Sequence, residues 1–455
     1  MSAPNHQTHP EADIWSMTVE AVLAHDAKAT SYLSQTLERD PDHALAHATK
    51  GLLTLSLARR DMRVVAQAAF EDATRSARNG RPDARTRAAI DALSLWLQER
   101  PRAAAQRLEA QLAVDPRDAL TLKMSQIIRF MLGDKAAMLA AARRVAPHFA
   151  DAHPHAAFVH GCLAFALEET GAYADAESLG RRAVALDPRD VWGRHAVAHV
   201  LEMTGRVEEG LLWMGDARLW AHANNFRFHM FWHLALFHLE RGDVARTLAL
   251  YDDGVRSART DDFRDIANAA SLLARLAWRG VNVGPRWEEL AVCAGRRVED
   301  RELVFADLHY TLALLGAGDR AGATRLADAM RDDGRSHGSW ERRGAAAKGA
   351  FVAQGLIALH DGDPARAAAL LGAAWPDFTT FGGSDAQRDL FEKAYIEALI
   401  RSGDLDRADR VLRRRLAARG GVNRYASEAL ARCGRTGARS LAARLLSITP
   451  VAFAH

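Results

Sequence analysis

Residues 171–188 read Gly171-Ala172-Tyr173-Ala174-Asp175-Ala176-Glu177-Ser178-Leu179-Gly180-Arg181-Arg182-Ala183-Val184-Ala185-Leu186-Asp187-Pro188. A glycine opens the stretch and an aromatic follows two residues later. A small residue comes three after that, an alanine seven further on and a proline five beyond. Gly171 punctuates a turn, Ala176 lets a second helix approach closely, and Pro188 cannot continue a helix. The next glycine in this role is Gly205, 34 residues on, and Gly242 follows after 37. Gly-Asp pairs recur at Gly133-Asp134, Gly242-Asp243, Gly318-Asp319, Gly362-Asp363 and Gly403-Asp404. Asp-Pro pairs at Asp40-Pro41 and Asp115-Pro116 mark further points where one helix stops and another begins.

This order and period are those of a tetratricopeptide helix pair. They predict an all-α fold, a tetratricopeptide-like helical-repeat solenoid built as a superhelix of antiparallel helix pairs. The expected organisation is a disordered tail over 1–12 followed by a single array over 13–455. Its clearest units are 157–190, 191–224, 228–260 and 304–336. Spacers at Asn282–Pro285 and Thr379–Ser384 interrupt the period, and no sustained strand alternation is present. A chain of 455 residues exceeds what one compact core normally serves, and a repeat array, whose core grows in one dimension, meets that limit. The composition, 49% hydrophobic and 26% charged, is ordinary for a globular chain.

Sixty basic against 57 acidic side chains leave a formal charge of +3, which gives no electrostatic reason to expect nucleic acid. The densest basic run, Arg413-Arg414-Arg415, reads as a solvated helix face. Three scattered cysteines, Cys162, Cys293 and Cys433, form no metal-binding spacing and no disulfide framework, which suits a reducing compartment. No stretch approaches the uninterrupted apolar length of a membrane span, so a soluble, cytoplasmic protein without a membrane partner is expected.

The 19 histidines carry the functional reading. With each turn glycine set as position 15 of its unit, His195 falls at position 5, His199 at 9 and Glu202 at 12 of the Gly205 unit. Spacings of four and three place all three on one helix face. The Gly242 unit puts His229 at position 2, Trp232 at 5 and His233 at 6, and the Gly318 unit puts His309 at 6 and Asp307 at 4. The histidine and Glu202 positions, with that of Trp232, face the concave groove of such repeats. Three neighbouring first helices thus aim five histidines and a glutamate at one channel, with Glu168 and Glu169 at its edge. His148, His153, His155, His337 and His455 fall at ends or in loops and read as surface residues.

Three chemistries suit such a cluster. Neutral imidazoles with a carboxylate can hold a divalent transition metal. An imidazole can act as general acid or base without metal. Or the group can recognise an anion. His195-Ala196-Val197-Ala198-His199 has zinc-helix spacing but an alanine where a glutamate base would stand, and His229-Met230-Phe231-Trp232-His233 lacks that base too. The segment Gly382-Gly383-Ser384-Asp385-Ala386-Gln387-Arg388-Asp389 adds Gln387, Arg388 and Asp389 as candidate binding residues. Ser384 or Asp385 would cap the following helix, and Arg388 would grip a carboxylate or pair with an acidic residue. Trp232 is the tryptophan placed to stack on a ligand, whereas Trp192, Trp213, Trp220 and Trp278 read as packing at repeat seams.

Several of these stretches resemble the tetratricopeptide repeat protein 38 family and its bacterial members. They are Asp187–Met214, with its Trp192-Gly-Arg-His195-Ala-Val-Ala-His199 core, Phe231-Trp232-His233-Leu-Ala-Leu236, Val283-Gly284-Pro-Arg286-Trp287, and Gly382-Gly383-Ser384 through Gln387-Arg388-Asp389. The similarity runs from about Asp40 onward. It implies the helical-repeat fold, and it implies that His195, His199, His233, His309 and the Gln-Arg-Asp run match the family pattern. His229 aligns with a family histidine, although the preceding Phe226-Arg-Phe is less typical. The resemblance implies no particular reaction.

Two functions remain open at this level. One is a His/Glu/Trp-lined concave pocket that binds a small polar molecule and transforms it by acid–base or metal-assisted chemistry. If it is an enzyme, hydrolase-type chemistry would use His199 or His233 as base, with Glu202 orienting an imidazole and Arg388 anchoring an anion. The alternative is a protein–protein scaffold holding an extended peptide in its groove. Such clamps present Lys, Asn and Arg, and here only Lys123 fits.

Overall fold

The computed structural model describes residues 13–335 and 340–434. The expected tail over 1–12 lies outside the described residues, as do His337 and His455. The described chain is all-helical, its only strand-like contact being an isolated bridge between Asp26 and Ala223.

The first helices are α1 (Ile14–Leu23), α2 (Ala29–Arg39), α3 (Ala44–Leu55), α4 (Met62–Asn79), α5 (Ala84–Leu97), α6 (Pro101–Val114), α7 (Ala119–Met131) and α8 (Lys135–Val145). Next come α9 (Ala156–Glu169), α10 (Tyr173–Leu186), α11 (Val191–Met203), α12 (Val207–Trp213) and α13 (Phe226–Arg241). The remainder are α14 (Val244–Leu250), α15 (Phe263–Ala277), α16 (Arg286–Gly295), α17 (Val304–Gly316), α18 (Arg320–Asp333), α19 (Trp340–His360), α20 (Pro364–Ala374), α21 (Asp385–Ser402) and α22 (Leu405–Ala418). Residues 424–434 are also helical.

The recurring dipeptide explains the pairs locally. All seven turn glycines, from Gly133 to Gly403, adopt φ between +64° and +91°, the left-handed region that ends a helix at least cost for glycine. The aspartate that follows five of them caps the next helix. Asp134, Asp243, Asp319, Asp363 and Asp404 each accept the amide three residues on. Each such cap contributes about 1 kcal/mol. Asp40, Asp115 and Asp187 sit at the C-terminal caps of α2, α6 and α10, where the following proline forbids continuation.

The helices gather into two compact units. One comprises the described residues up to Val197 together with Asp216–Met230, and the other Ala198–Gly215 together with the residues from Phe231 onward. In the first unit α3 packs on α4, α5 on α6, and α9 on α10. Small residues make these contacts close: Ala176 and Ala183 are wholly buried, and a Cβ on Gly180 would lie 2.7 Å from the Val197 side chain. In the second unit α16 packs on α17, α18 on α19, α19 on α20 and α21 on α22, with α15 against α17 and α21. Helices α11 and α13 contribute residues to both units.

No helix among the described residues is long and apolar enough to cross a membrane.

Candidate functional site

The second unit gathers His199, Glu202, Trp232, His233 and His309 with residues that the repeat frame did not single out. None of the four aromatic side chains lies in an open groove: His199, Trp232 and His233 are 0% exposed and His309 1%. The groove-facing positions here point into packed interior, where Trp232, His233 and His309 find hydrogen-bond partners within the protein.

His233 is the best defined. Its Nδ1 lies 3.2 Å from Glu202 Oε2, and its ring centroid is 4.6 Å from that of His199 and 4.8 Å from that of Trp232. A carboxylate can only accept, so Nδ1 carries the proton and Nε2 presents a lone pair. Burial first, then the neighbouring His199 and Arg275 charges, push the His233 pKa well below its ordinary value. The ring is therefore neutral at pH 7. His309 has the same tautomer for a different reason: Nδ1 donates to the Phe305 carbonyl at 2.7 Å, as a helix residue four positions on can. Burial, outweighing that hydrogen bond, brings its pKa down to about 4, with Arg275 adding to the effect.

Arg275 on α15, which the sequence pattern missed, organises this region. It donates to Ser271 Oγ at 2.9 Å, to the Ser271 carbonyl at 3.2 Å and to the Ala386 carbonyl at 3.1 Å. Its guanidinium lies 5.4 Å from the Trp232 ring centroid, and the Trp232 indole donates to the same Ser271 Oγ at 2.9 Å. Trp232 is thus held from its edge and its face, and the cation occupies ring surface that a stacking ligand would need.

The Gln-Arg-Asp run divides three ways. Gln387 completes a capping box, its Oε1 accepting the Ser384 amide at 3.0 Å while Ser384 Oγ accepts the Gln387 amide at 3.2 Å. Arg388 turns back on its own loop, donating to the Gly382 and Gly383 carbonyls and pairing with Asp385. Both are committed to building the loop, in place of the ligand contacts expected of them. Asp389 is the residue of consequence. Lys393 lies 2.9 Å from it, Arg419 3.0 Å and Arg275 3.7 Å, and Arg415 donates to it as well. Burial alone would raise the Asp389 pKa, but Arg415, Lys393, Arg419 and Arg275 together hold it well below the usual carboxylate range.

The basic run therefore needs correcting. Arg413 and Arg414 are exposed as expected of a solvated face, whereas Arg415 is 4% exposed and Arg419 5%. Successive residues turn about 100° around a helix, so Arg413 and Arg414 share the solvent side while Arg415 falls with Ala408, Val411 and Leu412 on the buried one.

The other two candidate histidines belong to the first unit. His195 Nε2 and His229 Nε2 are 2.9 Å apart, so one must donate and the other accept, and the pair holds one proton between them. His195 stacks on Phe165 at 5.4 Å and tilts against Trp192 at 5.0 Å. The Lys123 ammonium lies 4.4 Å from the Trp192 ring centroid. Glu168 and Glu169, expected at the edge of the channel, are buried at 1% and 3% exposure. In the second unit, the imidazoles that could serve a metal ion are His199 and His233, both buried, with ring centroids 4.6 Å apart. The Glu202–His233 pair has the form of a carboxylate orienting a ligand imidazole.

No family model matches the sequence. Among solved structures, the human IFIT1 dimer with m7Gppp-AAAA is similar at 13% identity, over 87% of this chain and 90% of that one, with a TM-score of 0.41. Yeast Tom70 is similar at 12% identity, over 96% and 92%, with a TM-score of 0.36. The fold is of the tetratricopeptide type. Helix pairs, turn glycines and caps establish this directly, without weight on either neighbour.

Proposed function

We propose that the second unit opens at the buried His199–His233–Glu202 constellation to admit a small polar molecule and transforms it by acid–base chemistry, with His233 Nε2 as the base. The observation that carries the reading is the 3.2 Å contact between Glu202 and His233 Nδ1. That contact fixes the tautomer and orientation of a neutral imidazole, as an acid–base group requires. Burial keeps the ring neutral, and Arg275, held beside Trp232, supplies positive charge for an anionic group or intermediate. The finer resemblance to the tetratricopeptide repeat protein 38 family is part of this proposal, since its motifs contain these same residues.

The test is turnover of a panel of activated esters, lactones and amides by the wild-type chain beside His233→Ala and Glu202→Gln. Turnover in the wild type, reduced by about 10²–10⁴ in His233→Ala, supports the assignment. Turnover equal in wild type and His233→Ala rejects it.

A metal-assisted form of the same function is favoured by the His199–His233 pair, whose rings lie 4.6 Å apart beside Glu202. Elemental analysis of untagged protein, beside a His199→Ala/His233→Ala variant, separates the two. Near-stoichiometric zinc, iron or manganese that is lost in the variant assigns a metal site. Metal absent from both leaves imidazole acid–base chemistry.

A further inference from the structure

The second unit also contains a cavity of about 660 Å³ that is open to solvent. Six cations line it, Arg275, Arg279, Lys393, Arg401, Arg424 and Arg432, against two carboxylates, Glu397 and Glu428. The ion pairs behind the wall do not balance this charge. Arg401 and Arg432 share Glu397 at 2.5 and 2.9 Å, and Arg424 takes Glu428 at 2.6 Å. Arg279 lies 3.6 Å from Glu240. Arg275 and Lys393 share Asp389 with Arg415 and Arg419, and Arg415 also reaches Glu392 at 2.8 Å. With Glu202, whose charge also acts on Arg275, the network holds eight cations against six carboxylates.

The excess is two positive charges, and although Arg401, Arg424 and Arg432 remain partly in solvent, Arg275, Arg279 and Lys393 are largely desolvated, a cost that a bound anion would offset. The strain is visible at two groups. Arg275 is 3% exposed, and its Nε has no hydrogen-bond acceptor among the described residues although the side chain lines the cavity. Lys393, desolvated first and then repelled by Arg275 and Arg415, has its pKa lowered to about 8 even with Asp389 beside it.

We infer that this cavity binds a small organic phosphate, the phosphoryl group held by the arginine forks and the body of the molecule lying against Trp278 and Tyr425. Guanidinium groups match phosphate oxygens bidentately, and a phosphate monoester carries about two negative charges at pH 7, close to the excess present. The volume falls in the range of small-molecule sites, roughly 300–1,000 Å³, and is far larger than a bare anion needs. Trp278, Tyr425, Leu239 and Val281 give the wall an apolar side. Arg275 belongs both to this cavity and to the imidazole site, but the inference rests on the charges of the cavity and not on histidine chemistry.

The test is isothermal titration of the full chain at low salt, about 50 mM, with AMP, inorganic pyrophosphate and citrate. Saturable binding of AMP and pyrophosphate is expected, with proton uptake by Lys393 near pH 8 visible as a dependence of the heat on buffer. An Arg401→Ala/Arg424→Ala variant, altered at two exposed side chains, should bind AMP at least ten-fold more weakly. Arg279→Gln should do the same. Trp278→Ala should weaken AMP but not pyrophosphate. His233→Ala should retain AMP binding, which keeps this result separate from the imidazole proposal. No saturable binding of either phosphate, affinity unchanged in both arginine variants, or binding of citrate alone would overturn the inference.

Discussion

Glu202 Oε2 on α11 and His233 Nδ1 on α13 are 3.2 Å apart, and this one contact decides which nitrogen of the buried imidazole is available for chemistry. The carboxylate takes the proton-bearing nitrogen, so Nε2 carries the ring's lone pair. Removing the acceptor should redistribute the proton.

Glu202→Ala is expected to shift His233 from the Nδ1–H towards the Nε2–H tautomer and to lower stability by about 1–3 kcal/mol, the cost of a buried donor losing its partner. Nitrogen-15 correlation spectra of the imidazoles and urea titrations read both. An unchanged tautomer would show that some other group orients the ring.

Asp389→Ala should be the more damaging change. It strips the common carboxylate from Arg275, Lys393, Arg415 and Arg419, leaving buried cations uncompensated. A loss of about 3–5 kcal/mol is expected from equilibrium denaturation. A loss below about 1 kcal/mol would mean that water already reaches the cluster.

A pH-dependent element sits in the first unit. Asp190 is 0% exposed, and burial raises its pKa to about 7, despite hydrogen bonds from the Gly193 and Trp192 amides and the nearby Lys123 charge. The folded state then holds a proton that the unfolded chain, with a carboxyl pKa near 3.9, has already lost. Its contribution is present in full below the unfolded pKa and disappears as pH rises through about 7. Asp190→Asn keeps a side-chain cap for α11 and removes this titration. Its stability relative to wild type should rise between pH 5 and pH 8.5 by at most about 3 kcal/mol, two pH units at roughly 1.36 kcal/mol each. Parallel stability profiles for the two proteins would count against a protonated Asp190.

Gly383 has φ +74°, and a Cβ there would stand 2.6 Å from the Phe305 ring. Gly383→Ala should cost about 1–3 kcal/mol through backbone strain and displacement of that ring. Ser384→Ala, which removes only the cap, should cost about 1 kcal/mol. Thermal melts that rank the two in the opposite order would show that the loop accommodates a side chain.

The sequence by itself determined the helices and their pairing. A left-handed glycine followed by a capping aspartate is a local device, and so is an Asp-Pro stop; both act within a few residues of themselves. The one-turn spacing of His195 with His199 and of His229 with His233 was legible for the same reason, since i and i+4 share a helix face in any surroundings. What those faces meet was decided elsewhere. Whether a polar face opens to solvent or closes on protein depends on the helices packed over it, and here His199, Trp232 and His233 are sealed inside. Gln387 and Arg388 look like binding residues in a linear reading, yet the turn at Gly382 and Gly383 bends their partners back to them. Arg275 carries no signal as a letter, and its meeting with Asp389 and Arg415 arises only because α15, α21 and α22 belong to one unit. Helix signals are set by near neighbours, whereas charge compensation in a desolvated interior is set by whatever the fold brings within a few ångströms.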